Sequence, residues 1–444
     1  MNLDRSFPSR RSNRMKRVNV RIITIDDPAK NAQNLRARTS ISDEQVSKVK
    51  AVMDSVARDG DKALIDYTLN FDGIKLDSIR VTTSEINSAY KMVSKEQLRA
   101  LREIKRRLET AEKAVLNKLK KIEVRFDGTK ISKLLKPVES VGCYVPGGKA
   151  RYPSTVIMCT VPAKVAGVKR ILVCTPPTKD GSVDPLTLVA ADLCGVDEIY
   201  KVGGAQSIAA MAYGTETIKP VSKIVGPGGT FVTVAKVLAS SRVSIDMVAG
   251  PTELLVLADE SADPLSVALD IVAQSEHSTD TFCGLVTCSK KLADNVANEL
   301  SNTIGSIDRS EIVSRSLEQN GFIAFCKNYN DAIRFTNAFA PEHLQVITKD
   351  ARRLVNKIES AGLILVGEYT PSAASDYGFG SNHVLPTLAF ARSRASLSSL
   401  DFVKLVSVVE SSKAGLKNIA ELVKLMSESE DLPNHYKAIK ARLD

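Results

Sequence analysis

Tryptophan is absent from this chain of 444 residues, aromatic residues make up only 5%, and histidine occurs four times. Proteins that grip nucleic acid strands stack bases on aromatic side chains set among basic ones, and no aromatic platform accompanies either basic stretch here. One stretch runs from Arg5 to Arg21, where Arg10, Arg11, Arg14, Lys16 and Arg17 precede the strand-like Val18 to Ile25 and read as a basic arm. The other, Leu98 to Lys121, is helix-patterned with alternating charges, the mark of a solvated face. The rest of the +10 net charge is spread along the chain, so nucleic-acid binding is not expected. No apolar run approaches the roughly 20 residues of a membrane span, and the N-terminus lacks the apolar stretch of a secretory signal. A soluble, cytoplasmic protein with no membrane contact is the expectation. Seven cysteines, an odd number without a Cys-x-x-Cys pair, lie mostly in apolar runs such as Ile171-Leu172-Val173-Cys174, which excludes a disulfide framework and suggests reduced core thiols.

The length predicts two to three domains, and 43% hydrophobic with 25% charged residues is ordinary for a globular chain. Apolar residues recur at helical spacing from Ser42 to Asn70 and from Thr83 to Leu119, with Ser42 and Thr83 or Ser84 placed as N-caps. At Val141 the texture changes to short β-rich runs punctuated by glycine and proline, which sets a boundary near Pro137. Strands Arg170 to Cys174, Glu198 to Val202 and Val221 to Val225 alternate with a helix opening at Asp184-Pro185 and another from Ala205 to Tyr213. That βαβαβ order predicts a parallel, Rossmann-like sheet. A second α/β set comes after Gly250, with strand Glu253 to Leu257, a helix from Pro264 capped by Asp263, strand Thr281 to Thr287, and further alternation through Val366. The segment from Ser398 reads as helical and ends in a charged tail broken by proline.

Two turns, Val202-Gly203-Gly204-Ala205-Gln206 and Val225-Gly226-Pro227-Gly228-Gly229-Thr230, end a strand and open a helix at once. Glycine permits close backbone approach, and N–H groups at a helix start attract phosphate. Neither carries the full Gly-x-Gly-x-x-Gly pattern, so a plain βα turn explains each equally well. As a pair on neighbouring strands they point to a nucleotide at the carboxyl edge of the sheet.

Each histidine sits among polar groups. Gln274 and His277, three apart on a helix from Pro264 to His277, emerge on one face and suit either a shared metal or a helix-end hydrogen bond. Asp376 would add an oxygen ligand and His435 a nitrogen, making a mixed N/O set suited to zinc. Glu342 and His343 come directly after Pro341; in a regular strand they would face opposite sides, so both reach one substrate only from the preceding loop. There they could divide two proton transfers, although an adjacent Glu-His pair also arises by chance.

Taken in order, Gly142-Cys143-Tyr144-Val145-Pro146-Gly147-Gly148, Val202 to Gln206, Ala249-Gly250-Pro251-Thr252-Glu253, Gln274 to His277, Ala340 to His343 and Asn382-His383-Val384-Leu385-Pro386-Thr387 resemble histidinol dehydrogenase, across nearly everything from about residue 20 onward. The resemblance implies an NAD-dependent homodimer of intertwined subunits, with one zinc ion each, that oxidises L-histidinol to L-histidine in the last step of histidine biosynthesis. It implies two Rossmann-like parallel-sheet domains in an aldehyde-dehydrogenase-like arrangement, with small helical N- and C-terminal extensions. On that plan residues 1–34 are an extension, 35–138 join 247–390 in the first α/β domain, 139–246 form the second, and 391–444 are a helical tail reaching the partner's active site. Carried over by motif, Gln274, His277, Asp376 and His435 would hold zinc, His435 coming from the partner subunit. Glu342 and His343 match the acid/base pair, Tyr144 and Gln206 the NAD contacts, and Thr252, His383 and Glu430 the substrate shell.

Two positions depart from the family pattern. Gly229 stands where the family commonly has an Asn that contacts NAD, and Thr252 replaces a Ser while keeping its hydroxyl. Oxidising an alcohol by four electrons needs two hydride transfers with hydration between them. His343 suits removal of the hydroxyl proton, Glu342 activation of water on the aldehyde, and Glu430 acceptance of the imidazole N–H. The competing readings are a sibling dehydrogenase for another polar primary alcohol, such as a sulfonated diol, and a zinc- and nucleotide-binding protein without catalysis.

Overall fold

The computed structural model describes residues 20–36, 42–119, 122–147, 151–248 and 250–444; the basic residues Arg10 to Arg17 lie outside that set. Two compact units share the chain. One takes residues 1–45, 247–377 and 385–396, the other 46–246, 378–384 and 397–444.

The first unit carries a six-stranded, wholly parallel sheet in the order Arg21–Ile25, Phe322–Cys326, Phe282–Thr287, Glu253–Ala258, His343–Ile347, Leu363–Val366. Strands Glu253–Ala258, Phe282–Thr287 and His343–Ile347 are buried along their whole length, as continuous apolar runs are when helices cover both faces of a parallel sheet. Helix Pro264–Ser275 starts sharply because the Asp263 carboxylate accepts the Ser266 N–H and Pro264 occupies the first turn. Over its described residues the stretch assigned to an N-terminal extension is instead part of this sheet unit. Strand Arg21–Ile25 is its edge, and Ile25, Ala32 and Leu35 join a core with Phe322, Phe335 and Phe339.

The second unit carries a five-stranded parallel sheet in the order Glu198–Tyr200, Arg170–Cys174, Ser140–Tyr144, Lys223–Val225, Ser244–Ile245. The chain steps outward from Ser140–Tyr144 and then returns to its other side. The reversal between Ser140–Tyr144 and Lys223–Val225 is where doubly wound sheets leave a crevice at their carboxyl edge. Because of it, strands Glu198–Tyr200 and Lys223–Val225, which lead into the two glycine turns, are not neighbours, contrary to expectation.

Helix Asp43–Asp72, interrupted at Gly60 (φ 55°), packs on this sheet: Val49, Met53, Val56 and Leu64 share a core with Leu172, Tyr200, Ile208 and Ile224. The helical segment 46–119 thus groups with residues 139–246 and not with 247–390. Periodicity identifies an apolar face but not the surface that covers it. Thr82, not Thr83 or Ser84, caps helix Thr83–Met92, through a capping box with Glu85, and the chain breaks at extended Val93 before helix Lys95–Leu119.

The tail also differs from expectation. Val403–Ser411 is a strand, paired antiparallel along its length with Thr129–Pro137, which in turn pairs with Ile122–Phe126. Its run Val403-Lys404-Leu405-Val406-Ser407-Val408-Val409 is rich in β-branched residues, which outweighs the helical character of the residues after Ser412. Only Lys413–Ser429 and Pro433–Leu443 are helical there. Among the described residues no helix is long and apolar enough to cross a membrane. All seven cysteines are free thiols, buried except for half-buried Cys288.

Candidate active site

Helix Tyr329–Phe339 ends at Ala340, which adopts a left-handed conformation (φ 49°), and Pro341 then turns the chain into the strand that begins at His343. Glu342 therefore occupies the loop, as expected, while His343 is the first strand residue. Both are buried, and they still meet: Glu342 Oε2 lies 3.7 Å from His343 Nδ1. The same oxygen accepts the Glu253 N–H at 2.7 Å, and Glu253 Oε2 accepts the Glu342 N–H at 3.2 Å, so two strand starts are tied reciprocally. Glu253 is 1% exposed and is neutralised by Arg36, whose guanidinium reaches both carboxylate oxygens at 2.7 Å. Arg36 also donates to the carbonyls of Phe339 and Ala340 and lies 4.1 Å over the Phe339 ring.

Burial lifts the Glu342 pKa above its ordinary value, against the opposing pull of His343. For His343, burial disfavours protonation, but the nearby carboxylates of Glu342 and Asp376 outweigh it, and the net shift is upward. The two groups titrate as a pair. His343 Nε2 is buried, with no hydrogen-bond partner among the described residues, 3.8 Å from Asp376 Oδ1. A buried polar atom left open in this way is an acceptor or donor held for something else.

Gln274 is buried in the last turn of helix Pro264–Ser275, and its Oε1 accepts the Ser372 hydroxyl at 3.3 Å. Ser372 begins the short helix Ser372–Tyr377 that carries Asp376. His277 is not on the helix: Glu276 is the C-cap and His277 lies one residue beyond, its N–H still turned back to the Gln274 carbonyl at 3.3 Å. His277 is exposed, and desolvation lowers its pKa despite the nearby charge of Asp376. Gln274, His277 and Asp376 thus gather at the carbonyl end of a helix, where the backbone dipole favours a cation. Among the described residues no three His, Cys, Asp or Glu side chains are close enough to hold a metal by themselves, so this set is two such groups and an amide.

Thr252, half-buried, precedes Glu253 in the same unit. The other expected residues belong to the five-stranded unit. His383 is half-buried with Nε2 3.4 Å from the Thr155 hydroxyl; Glu430 is exposed at the end of helix Lys413–Ser429; His435 is exposed, its Nδ1 3.2 Å from the Leu432 carbonyl.

In that unit both glycine turns converge on Tyr144. Its phenol oxygen accepts the Gly204 N–H at 3.4 Å, and burial pushes its pKa up to about 12. Gly226 has φ 120°, and a Cβ there would stand 2.1 Å from the Tyr144 carbonyl oxygen, so only glycine fits. Its N–H donates to Asp246 at 2.7 Å and its carbonyl accepts from Lys236 at 2.9 Å; Lys236 and Asp246 themselves form a buried ion pair. Gln206 is 1% exposed, and its Oε1 has no hydrogen-bond partner among the described residues. A cavity of about 1100 Å³ opens at the carboxyl ends of strands Ser140–Tyr144 and Arg170–Cys174, bordered by Pro146, Gly147, Arg151, Thr175 and Pro176. Gly229, the N-cap of helix Thr230–Ala239, has an unstrained φ of −68° and open space around its Cβ position.

A family model described as histidinol dehydrogenase matches residues 35–443. The chain belongs to the histidinol dehydrogenase family. The histidinol dehydrogenase of Clostridium acetobutylicum is 44% identical over 418 residues, covering 94% of this chain and 96% of that protein. That of Methanocaldococcus jannaschii is 42% identical over 401 residues, covering 90% and 93%. The crystal structure of histidinol dehydrogenase from Elizabethkingia anophelis is 36% identical, with a TM-score of 0.91, and the match spans 96% of this chain and 98% of that one.

Within this histidinol dehydrogenase family member, motif reading leaves four residues without a role. Glu253 closes a quoted motif but carries no assignment from sequence, and Arg36, 217 residues away, carries no signal at all. Lys236 does: it is the one charged side chain in the helix Thr-Phe-Val-Thr-Val-Ala-Lys-Val-Leu-Ala, where a lone charge demands a partner, and Asp246 is that partner.

Proposed function

We propose that this chain oxidises L-histidinol to L-histidine through L-histidinaldehyde, the last step of histidine biosynthesis, as a cytoplasmic homodimer using NAD and one zinc ion per subunit. The observation that carries the reading is the buried Glu342–His343 pair, with His343 Nε2 beside Asp376 and without a hydrogen-bond partner among the described residues, in a chain of the histidinol dehydrogenase family.

The donors fit a zinc ion: an imidazole, a carboxylate and an amide oxygen at a helix carbonyl end, with His435 of a second subunit as the fourth ligand. When bound, zinc supplies a Lewis acid that orients the amino alcohol, and NAD supplies the hydride acceptor. His343 takes the hydroxyl proton as the C–H bond breaks. Glu342 then removes a proton from the water that attacks the aldehyde, and His343, having passed its first proton to solvent, takes the gem-diol proton as the second hydride leaves for a fresh NAD. Glu430 accepts the imidazole N–H, and Thr252 and His383 are further substrate contacts. Tyr144 and Gln206 contact NAD; the open Oε1 of Gln206 and the cavity beside Pro146 and Thr175 support this. Equal loss of both half-reactions in Glu342→Gln would refute the division of labour, and unchanged histidinol turnover in Glu430→Ala would refute the role of Glu430.

Homodimerisation has support in the tail. Leu405, Val409, Leu422, Leu425, Met426 and Leu432 are exposed, and helix Pro433–Leu443, which carries His435, buries no residue. Apolar surface of this extent is what an intertwined partner covers. Subunit complementation tests the sharing of His435. His277→Ala and His435→Ala are each inactive alone, and statistical mixing of the two unfolded and refolded chains restores about a quarter of normal activity, because half the dimers are hybrids with one intact site. No recovery on mixing would place His435 in its own subunit's site or outside it.

A further inference from the structure

We propose that Arg36 and Glu253 are positioning residues for Glu342, forming a clamp that holds one of its carboxylate oxygens and leaves the other for the reaction. This deepens the assignment of Glu342 to water activation and rests on it.

Glu253 is a completely buried carboxylate at the start of a parallel strand, a costly place for a charge unless its partners are specific. Its carboxylate joins three chain segments, and its carbonyl lies 3.3 Å from His343 Nδ1. Oε2 accepts the Glu342 N–H, Oε1 accepts the Leu388 N–H at 2.9 Å, and Arg36 grips both oxygens. Arg36 extends the grip to the Phe339 and Ala340 carbonyls, so the left-handed corner that leads through Pro341 into Glu342 is held by the same guanidinium. In return, the Glu253 N–H binds Glu342 Oε2 at 2.7 Å. Among the described residues only Glu342 Oε2 receives a backbone N–H, and Oε1 is the oxygen left to take a proton from water. An ordinary register lock would need none of this: the strand pairing of Leu254 with His343 already fixes the register. What the clamp adds is control of where the Glu342 carboxylate points. The charge of Arg36 is essential to it, because Glu253 and Glu342 are two buried acids set backbone to backbone.

The test compares L-histidinol and L-histidinaldehyde as starting substrates, each with saturating NAD and zinc, in Arg36→Met, Arg36→Lys, Glu253→Gln and the reference variant Glu342→Gln. Loss of positioning slows aldehyde oxidation on the order of 100-fold while alcohol oxidation falls much less, with the effect in kcat more than in KM. Arg36→Lys keeps the charge but not the fork, and lies between wild type and Arg36→Met. Arg36→Met combined with Glu342→Gln is no slower than Glu342→Gln alone, because the clamp acts only through that carboxylate. Should Arg36→Met or Glu253→Gln fail to fold, Arg36→Lys carries the comparison. If Glu342→Gln slows both half-reactions alike, water activation by Glu342 falls and the clamp proposal with it. If Glu342→Gln is selective but folded Arg36 and Glu253 variants slow both half-reactions alike, or neither, the clamp is overturned while the role of Glu342 stands.

Discussion

Replacing Lys236 by Met removes the cation of a buried ion pair and leaves the Asp246 carboxylate buried without it. The Lys236 side chain is 2% exposed and that of Asp246 0%, and Asp246 spends its second oxygen on the Gly226 N–H at 2.7 Å. Breaking a buried pair from one side costs about 3–5 kcal/mol, because the remaining charge stays buried without its counter-ion. Against a typical stability of roughly 5–15 kcal/mol, that loss is large. Lys236→Met with Asp246→Asn removes the remaining charge while Asn still offers an oxygen to Gly226. About 2 kcal/mol or more of the loss is then regained, leaving the cost of one hydrogen bond. Circular dichroism in a urea titration reads both, since no tryptophan is present to report by fluorescence. The same variants report on the nucleotide side. Gly226 is wedged against the Tyr144 carbonyl, so if this turn meets NAD, loosening the hold of Lys236 and Asp246 on it weakens NAD binding, measured by calorimetry, in the single variant more than in the double. A loss below about 1 kcal/mol in Lys236→Met, or a double variant no more stable than the single, refutes the reasoning.

Gly229→Asn enters open space at an unstrained helix N-cap, so it folds normally and tightens NAD binding roughly fivefold by about one hydrogen bond; unchanged affinity by calorimetry would show that residue 229 does not face the cofactor. His343 acts as a base only when neutral, and its pKa is raised above 6.5, so the rate of alcohol oxidation climbs with pH through that raised value; Glu342→Gln removes one source of the shift and moves the acid limb to lower pH, and a limb that stays put contradicts the coupling. Glu112 is raised above 4.5 by burial. With its folded pKa above its unfolded one, its contribution to stability is full below 4.5 and is lost as pH rises through the folded value. Glu112→Gln keeps an acceptor for the Ser399 N–H, bound at 2.6 Å, and therefore raises the melting temperature at neutral pH but not near pH 4; a gain of the same size at both would refute the attribution.

Much of both parallel sheets was legible because their strands are short apolar runs separated by capped helices, and caps such as Asp184-Pro185 and Asp263-Pro264 mark helix starts by local chemistry alone. What escaped was set by distance along the chain. The apolar stripe of Val49, Met53 and Val56 says that the helix is covered, not that the sheet of Ser140–Tyr144 covers it. Val403–Ser411 becomes a strand because Thr129–Pro137, far upstream, offers it an edge. In the site, the adjacency of Glu342 and His343 was visible, but their meeting depends on the left-handed turn at Ala340, which no glycine or asparagine advertises. Gln274 and His277 were expected on one helical face; the helix stops between them, and the turn beyond Glu276 sets His277 by a different geometry. The Arg36–Glu253 pair spans two sequence-distant segments and has no local pattern to announce it.

The measurement closest to the central claim is the stoichiometry of NAD reduction with a limiting amount of L-histidinol, before chelation, after it, and with zinc restored. The account predicts two NAD reduced per L-histidinol, loss of turnover on chelation and recovery with zinc. No turnover by metal-replete enzyme, or only one NAD per substrate with aldehyde as the final product, would contradict it.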